Sequence, residues 1–440
     1  MVSYLPSTPC PCGKNHSAAI RDVIAEKGAL KRLGACVRQL GGTKPFLLAD
    51  PNTFEAAGRQ AHDLLEAEGF RCSRYIFTQK NPEPDEAAVG SAVMHFDHSC
   101  DIVIAIGSGV INDIGKILSA TAGCPYIIVA TAPSMDGYAS ATSSMAMDGL
   151  KVTLPSRCAD IILGDIDILK NAPMEMLQAG LGDMLAKYIS ICEWHIAHII
   201  TGEYYCEAVA ELIRNALKKC ADNAAGLLKR DDEAVKAVFE GLVIGGIAMA
   251  YAGVSRPASG CEHYISHIWD MRGLEFGTPV HLHGIQCALG TLICAELYHQ
   301  LLSLTPDRQT ALEHAAAFQV EDWNEQLRAF LGKGADAMIR QEKTEGKYDV
   351  QKHSLRLEKI MDNWDRIKDI IRKEIPTPCQ LRDLLHTIGI SPIPSDWGLE
   401  DDCMSMIFQT TKDIRDKYVL SRLVWDLGWM DRITAFFTKE

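Results

Sequence analysis

The sequence lacks both a long apolar segment and an excess of positive charge. Its longest apolar run covers residues 241–253, whereas a helix needs about 20 apolar residues to span a bilayer. The run therefore predicts a buried helix and no membrane span. The formal net charge is −13. Such an acidic surface argues against nucleic acid or an anionic membrane as the main partner, although it allows a locally basic pocket for a small anion.

The beginning of the sequence also lacks a basic region followed by an apolar stretch, which is the mark of an export signal. The 15 cysteines are scattered irregularly, so we expect reduced thiols in a cytoplasmic protein, used mostly for packing. Cys10, Cys12 and His16 place three soft ligands close together in CPCGKNH. This is not a standard zinc spacing and no fourth ligand is obvious, which favours a structural or incidental role.

The order of apolar patterns predicts two domains in the 440 residues. Continuous apolar runs separated by helical patterns are typical of parallel strands covered on both faces. After about Pro173, helical patterns dominate, and the charge-rich stretch 331–375 predicts exposed helices. We therefore predict a doubly wound α/β domain over residues 1–170 and an all-helical domain over 171–440. The predicted strands are residues 44–50, 71–77, 101–107 and 125–131.

A glycine-containing loop follows the third predicted strand. In GSGVIND, Gly107, Ser108 and Gly109 lead into a helix that carries Asp113. Glycines allow a tight turn and close approach to a ligand, and the helix N-terminus suits a pyrophosphate. The pattern is not the standard G-x-G-x-x-G fingerprint, so a plain strand-to-helix turn remains the alternative. Asp50 ends an earlier strand, where its carboxylate could meet an adenine ribose.

A second polar loop, residues 131–144, follows the fourth predicted strand. Ligands of open α/β sheets bind at the carboxyl ends of the strands. The candidate ligand contacts are Thr131, Ser134, Asp136 and Ser140. The alternative is a turn that faces solvent.

A set of one carboxylate and three imidazoles predicts a metal site in the helical region. Asp183 lies on a predicted helix, His263 and His267 are one helical turn apart, and His283 follows twenty residues after His263. One carboxylate and two imidazoles can hold a divalent cation with a position left open for Lewis-acid chemistry. Taken singly, each histidine is more typical of a packed or surface residue.

Two basic residues flank this set. Arg256 precedes the histidine-bearing helix, and Lys187 follows Asp183 by one turn. A guanidinium fork suits a phosphate. Either side chain could bind a substrate phosphate or serve structural pairing.

Together these segments resemble the sn-glycerol-1-phosphate dehydrogenases, including the bacterial AraM-like members. The wider superfamily contains glycerol dehydrogenase, iron-containing alcohol dehydrogenases and dehydroquinate synthase. The resemblance implies a Rossmann-like N-terminal domain and a helical C-terminal domain, in a dehydroquinate synthase-like fold. The motifs that carry it occur in the family's order: GSGVINDIGK, TAPSMDGYAS, GLGDMLAK, SRPASGCEHYISH, HGIQCALGT and the terminal DKYVLSRLVWDLG.

The resemblance implies that Asp183, His263 and His283 bind one divalent metal ion (zinc, nickel or iron), with His267 as a pocket residue. It also implies NAD or NADP as cofactor, a small phosphorylated substrate (dihydroxyacetone phosphate or sn-glycerol-1-phosphate) and a homodimer or higher homo-oligomer. Asp136 would lie near the substrate hydroxyls. The remaining cofactor contacts would come from Gly107, Gly109, Asp113, Thr131 and Ser134.

The sequence departs from the family pattern in three places. CPCGKNH lies outside the shared motifs, the stretch 331–375 is longer and more charged, and HG is followed by Ile285 and Gln286 where glycerol dehydrogenases often have an acidic residue. Three other functions therefore stay open: a dehydrogenase of an unphosphorylated polyol, a lyase or cyclase like dehydroquinate synthase, and a non-catalytic binding protein.

Overall fold

The computed structural model describes residues 10–147 and 150–438. Contacts divide the chain into two discontinuous units. The first contains Met1–Met184 and Glu207–Val254, and the second contains Leu185–Cys206 and Ser255–Glu440. The division at residue 170 stays a prediction, and each unit is described below by its own range.

The first unit contains a six-stranded sheet whose neighbouring strands all run parallel. The four predicted strands are confirmed, each one to three residues shorter than predicted. The order across the sheet is β1-β8-β5-β4-β2-β3. The strands are β1 (Asp22–Glu26), β2 (Pro45–Ala49), β3 (Ser73–Ile76), β4 (Ile102–Gly107), β5 (Tyr126–Ala130) and β8 (Ile161–Asp165).

The strands β2, β4 and β5 consist of continuous apolar residues because both faces of the sheet are buried there. Every residue of β2, β4 and β5 is buried, and no residue of a doubly covered strand faces water. The chain steps outward from β2 to β3 and then returns to place β4 on the other side of β2. This reversal creates a topological switch point between β2 and β4, where open α/β sheets bind ligands.

Three further parts of the sheet structure are absent from the sequence-based prediction. These are the edge strand β1, the buried strand β8, and a hairpin of β6 (Thr142–Met147) with β7 (Leu150–Pro155). The predicted loop 131–144 is therefore wrong at its end, because residues 142–144 belong to β6. A 3-10 turn, Asp136–Ala139, lies within the loop.

The helices of the first unit cover both faces of this sheet and include the longest apolar run. That run lies in α11, which is confirmed as a buried helix. By length and composition α11 could cross a membrane, but 72% of its most apolar window is buried inside the protein. The helices are α1 (Leu33–Gln39), α2 (Pro51–Thr53), α3 (Arg59–Ala67), α4 (Glu86–Met94), α5 (Gly109–Ala122), α6 (Ile166–Leu169), α7 (Met174–Leu185), α9 (Glu207–Asp222), α10 (Ala224–Leu227) and α11 (Asp232–Ala252), with a π-helical segment Phe54–Gly58 and a 3-10 turn Ala29–Arg32.

The second unit is helical throughout the residues described, which confirms the predicted fold class. Residues 331–375 form helices as predicted, but each buries an apolar stripe, such as Leu357 and Ile360 in α17. The helices are α8 (Lys187–Thr201), α12 (Cys261–Phe276), α13 (His283–Leu301), α14 (Arg308–Ala317), α15 (Val320–Leu331), α16 (Gly334–Glu345), α17 (Val350–Asp362), α18 (Trp364–Glu374), α19 (Pro378–Thr387), α20 (Met404–Thr410), α21 (Leu420–Asp426) and α22 (Met430–Thr434), with 3-10 turns Pro394–Trp397 and Ala435–Thr438.

Candidate active site

The loop after β4 is held close to the first turn of α5. A Cβ atom on Gly107 would lie 2.5 Å from Cβ of Ile111, so this position requires glycine. The hydroxyl oxygens of Ser108 and Ser134 are 2.5 Å apart and join this loop to the loop after β5. The backbone N–H groups of the first turn of α5 have no partners within the helix, and the positive end of its dipole favours an anion. The loop therefore has the geometry of a phosphate site.

Three predicted cofactor residues lie at the carboxyl ends of neighbouring strands. Asp50 follows β2, Gly107 ends β4, and Thr131 follows β5. Thr131 N–H donates to the Gly107 carbonyl over 3.1 Å. The carboxylate of Asp50 accepts the Thr53 N–H over 2.9 Å and so caps α2, while burial raises its pKa. Asp50 thus lies at the switch point, and one of its carboxylate oxygens is already engaged in capping α2.

A buried lysine that the motif analysis missed fixes the loop after β5. Lys116 is fully buried and its Nζ donates to the Gly137 carbonyl (2.6 Å), Ser140 Oγ (3.0 Å) and the Thr142 carbonyl (2.9 Å). Nζ also lies 3.3 Å from Asp113 Oδ1. The Ser140 hydroxyl and the Asp113 carboxylate thus have structural partners here, and their contacts with a cofactor stay predictions.

Asp183 is tied to the same loop within the first unit. It is fully buried on α7, and its Oδ2 accepts the Asp136 N–H over 2.9 Å. One turn earlier, Gly180 lies so close to the Pro133 carbonyl oxygen that a Cβ there would overlap it. A glycine at 180 is therefore what lets α7 approach the loop and hold the Asp183 carboxylate in a fixed orientation.

In the second unit, the three predicted histidines form one cluster. The ring centroids of His263 and His283 are 5.0 Å apart, and His267 lies 6.4 Å from the first and 5.9 Å from the second. Cys287, one turn after His283 on α13, joins them, because ligand atoms of His263, His283 and Cys287 lie within 4.8 Å of one another. Cys287 is absent from the predicted set, although its spacing of four residues from His283 was visible in the sequence.

Hydrogen bonds orient both imidazoles. His263 Nδ1 is 2.7 Å from Oε1 of the buried Glu262. A carboxylate accepts, so Nδ1 carries the proton and Nε2 keeps its lone pair. His283 Nδ1 is 3.1 Å from Ser266 Oγ, and Gln286 Nε2 donates to the same hydroxyl oxygen over 2.9 Å. Metal-binding histidines characteristically have such partners on their second nitrogen.

A second buried carboxyl supports the start of α12. Glu193 Oε2 accepts the Cys261 N–H over 2.9 Å, and Oε1 accepts the Leu420 N–H over 2.8 Å. Burial, reinforced by the charge of Glu262, raises the pKa of Glu193 to about 8. Glu193 therefore holds its proton more tightly than an exposed glutamate does, and it is Glu262 that contacts the His263 imidazole.

The donor chemistry of this cluster fits a divalent transition metal. Imidazole nitrogens suit zinc, nickel and iron alike, and thiolate favours zinc. A cation near His263 would also offset the negative charge of Glu262, whose Oε2 has no hydrogen-bond partner among the described residues.

The two predicted substrate-phosphate contacts are engaged within the second unit. The Arg256 guanidinium pairs with both oxygens of Glu203, at 2.6 and 2.7 Å, and donates to the Tyr418 carbonyl over 2.9 Å. Lys187 is fully buried, and its Nζ donates to the Ala258 carbonyl over 3.0 Å. These contacts argue for structural pairing of Arg256, while the phosphate role of both residues stays a prediction.

Comparison with known proteins places the chain in a family. Residues 24–173 match the family model for iron-containing alcohol dehydrogenase. A glycerol-1-phosphate dehydrogenase [NAD(P)+] of Pyrococcus furiosus is 35% identical over 63% of this chain and 78% of the relative. The chain belongs to the glycerol-1-phosphate dehydrogenase family. A relative of that name from Halalkalibacterium halodurans is 27% identical over 94% of both chains, and one from Bacillus subtilis is 30% identical over 67% of this chain and 77% of its own.

Solved structures share the fold at lower identity. Glycerol dehydrogenase from Schizosaccharomyces pombe has a TM-score of 0.61 at 16% identity and covers 97% of this chain and 92% of its own. A probable glycerol dehydrogenase from Sinorhizobium meliloti 1021 has a TM-score of 0.59 at 17% identity, covering 95% and 98%. These likenesses confirm the predicted fold class of this glycerol-1-phosphate dehydrogenase family member.

The structure thus brings the predicted residues together in two groups, each within one unit. The first unit holds the cofactor candidates with Asp136 and Asp183, and the second holds the three histidines. Sequence reasoning missed Lys116, Glu262, Ser266 and Cys287, which lie beside these groups. A signal existed for all four, since Lys116 stands inside the family motif GSGVINDIGK, Glu262 and Ser266 inside SRPASGCEHYISH, and Cys287 inside HGIQCALGT.

Proposed function

We propose that this chain is a metal-dependent sn-glycerol-1-phosphate dehydrogenase that reduces dihydroxyacetone phosphate with NAD(P)H. The observation that carries the proposal is the similarity to relatives named glycerol-1-phosphate dehydrogenase [NAD(P)+], which reaches 94% of the chain. The phosphate-site geometry after β4 and the oriented histidine cluster support it.

The metal is assigned to Asp183, His263 and His283, on the motifs for Asp183 and on the oriented imidazoles for the two histidines. When bound, the metal polarises the substrate carbonyl and the nicotinamide supplies the hydride. Zinc, nickel and iron all suit these ligand atoms, and the relatives are named for use of either NAD or NADP.

The chain's own residues position and orient the reactants. The first turn of α5 binds the pyrophosphate through backbone N–H groups, and the Ser108–Ser134 contact keeps that loop against its neighbour. Glu262 holds the proton on His263 Nδ1, so that Nε2 keeps its lone pair for the metal. His267, beside the two ligand rings, is assigned to relay the proton that completes the reduction.

The oligomeric state rests on the same resemblance, whereas the cellular location rests on the irregular scatter of the 15 cysteines. We expect a homodimer or higher homo-oligomer in the cytoplasm.

The test follows NADH absorbance with the purified, metal-loaded protein and either dihydroxyacetone phosphate or unphosphorylated dihydroxyacetone. We expect oxidation with the phosphate and little with the free ketone. Product formation without net NADH change would point to a lyase or cyclase, and silence with both ketones would refute the proposal.

A second candidate is a dehydrogenase of an unphosphorylated polyol. It is favoured by the pairing of Arg256 with Glu203 and the Tyr418 carbonyl, which leaves this guanidinium poorly placed to bind a phosphate. Oxidation of NADH with the free ketone alone would move the assignment there.

A further inference from the structure

The N-terminal motif CPCGKNH forms a second cluster of metal-binding side chains, distinct from the histidine cluster. One ligand atom from each of Cys10, Cys12, His16 and Cys206 lies within 4.8 Å of the other three. Cys206 is the fourth ligand that the motif itself lacks. It is 196 residues away from Cys10 in sequence, which is why no spacing rule points to it.

A tight turn brings the two motif cysteines together. The Gly13 N–H donates to the Cys10 carbonyl over 2.9 Å, and Pro11 and Cys12 occupy the central positions of the turn. Proline presets the backbone angle of the first central residue. Gly13 has φ +82°, a left-handed value that favours glycine. Each special residue of CPCG thus has a role in forming this turn.

The imidazole of His16 is oriented as a metal-binding imidazole should be. Its Nδ1 lies 3.1 Å from the Tyr251 carbonyl oxygen, which can only accept. The proton therefore sits on Nδ1, and Nε2 presents its lone pair 3.3 Å from Cys12 Sγ. This is the backbone-carbonyl partner that ligating histidines use to fix their tautomer.

Neighbouring contacts attach the motif to the first unit. Lys14 Nζ donates to the Ala252 carbonyl over 3.0 Å, and the His16 ring packs against Tyr251, both at the end of α11. Cys206 is 1% exposed. It is the residue directly before Glu207, where the first unit resumes and α9 begins, and α9 packs against α11 within that unit.

We propose that Cys10, Cys12, His16 and Cys206 bind a structural zinc ion. Three thiolates and one imidazole fill all four positions of tetrahedral zinc and leave none open for a substrate, which is the character of a structural site. Binding releases the thiol protons as the thiolates form. The ion would link the N-terminal segment to the start of α9, and the site does not depend on the proposed dehydrogenase activity.

The test isolates this site by removing the other one. In the His283→Ala background, the protein is produced under reducing, zinc-replete conditions, dialysed, and its zinc per chain is measured by mass spectrometry. We expect one zinc per chain, and none after addition of Cys12→Ser or Cys206→Ser. The matched control Cys379→Ser changes an exposed cysteine on α19 and should keep the zinc.

Cobalt substitution gives a readout that does not depend on activity. With Co²⁺ in place of zinc, the His283→Ala protein should show thiolate-to-cobalt charge-transfer absorption in the near ultraviolet, and Cys12→Ser should weaken it. Should the serine variants fail to fold, a mercurial thiol reagent added to the His283→Ala protein must still release one zinc per chain. The proposal is overturned by a zinc-free His283→Ala protein, by equal zinc with and without Cys12, or by a Cys206 disulfide in the reduced preparation.

Discussion

The two units hold their own groups of candidate site residues in opposite ways. In the first unit, the candidate cofactor loops require positions without a side chain, because Gly107 and Gly180 make contacts that any Cβ atom would block. In the second unit, the site depends on atoms that are present, since the imidazoles are held by Glu262 and Ser266. The residue group of the first unit should therefore be sensitive to side chains that add atoms, and that of the second unit to substitutions that remove atoms.

The largest effect is expected from deleting an imidazole. His283→Ala should lower kcat/KM for dihydroxyacetone phosphate by more than about 100-fold, because the loss of several kcal/mol of charge stabilisation is a hundredfold or greater change in rate. Metal content and steady-state rates measure it. His281→Ala is the matched control, because that histidine packs against Trp397. Equal losses in both variants would contradict the ligand assignment.

Removing a side-chain amine should also destabilise the first unit where that amine makes several buried hydrogen bonds, as Lys116 does. Lys116→Met removes one donor from each of three oxygen atoms, and we expect the free energy of unfolding to fall by about 3 kcal/mol. The two carbonyls among them keep a donor in Asn112 or Ser140. Urea unfolding measures this. An unchanged midpoint with unchanged slope would show that water replaces the ammonium group, and that the loop does not depend on it.

Glycine-to-alanine substitutions at two positions of the loop after β4 distinguish a role in packing from a role in close approach of the cofactor. Gly107→Ala should lower the free energy of unfolding by ~1–3 kcal/mol through overpacking against Ile111. At Gly109 the nearest atom to an added Cβ is Met135 Cγ at 3.4 Å, an ordinary contact. Gly109→Ala should therefore leave stability nearly unchanged while weakening NADH binding, as measured by fluorescence titration. Unweakened NADH binding in Gly109→Ala would remove the close-approach role of that residue.

The smallest effect concerns a buried lysine in the second unit. Lys412 donates to the Gln409 carbonyl and lies over the Trp323 ring, and its Nζ is 3.7 Å from Asp413 Oδ2. Burial outweighs this ion pair and lowers the pKa of Lys412 to about 7. Between pH 7 and 10 the unfolded chain then binds more protons than the native protein, so this group makes stability rise with pH. Lys412→Met removes that contribution. We expect the stability of the wild type relative to the variant to increase by about 1 kcal/mol or more over this range, measured by urea unfolding at several pH values. A difference that stays constant with pH would mean that Lys412 keeps its charge in the folded protein.

The sequence predicted best the strands that are buried on both faces along their whole length. The strands β2, β4 and β5 are continuous apolar runs because both of their faces are covered. Only Ile24 of the edge strand β1 is buried, and β6 carries mainly serine, threonine and methionine, so neither shows a continuous apolar run. The break between α7 and α8 at Ala186 has no signal in the apolar spacing, which continues through it.

The candidate site was predictable to the extent that its residues stand in motifs. Glycines, the aspartates and the three histidines are chemically conspicuous. The residues that orient them are not, because a buried Glu262 or Lys116 is recognised only when its partners are known. Cys206 is the extreme case, since its link to CPCGKNH exists only in the folded chain.

The contact between Gly180 and the Pro133 carbonyl has a consequence for building hybrid enzymes. Because α7 can approach the loop after β5 only if residue 180 has no side chain, the segments TAPSMDGYAS and GLGDMLAK act as a matched pair despite the hairpin and strand between them. Recombination with a parent that carries a larger residue at position 180 should yield inactive offspring whenever the crossover falls between the two segments. Crossovers outside the pair, which transfer both segments from one parent, preserve the match.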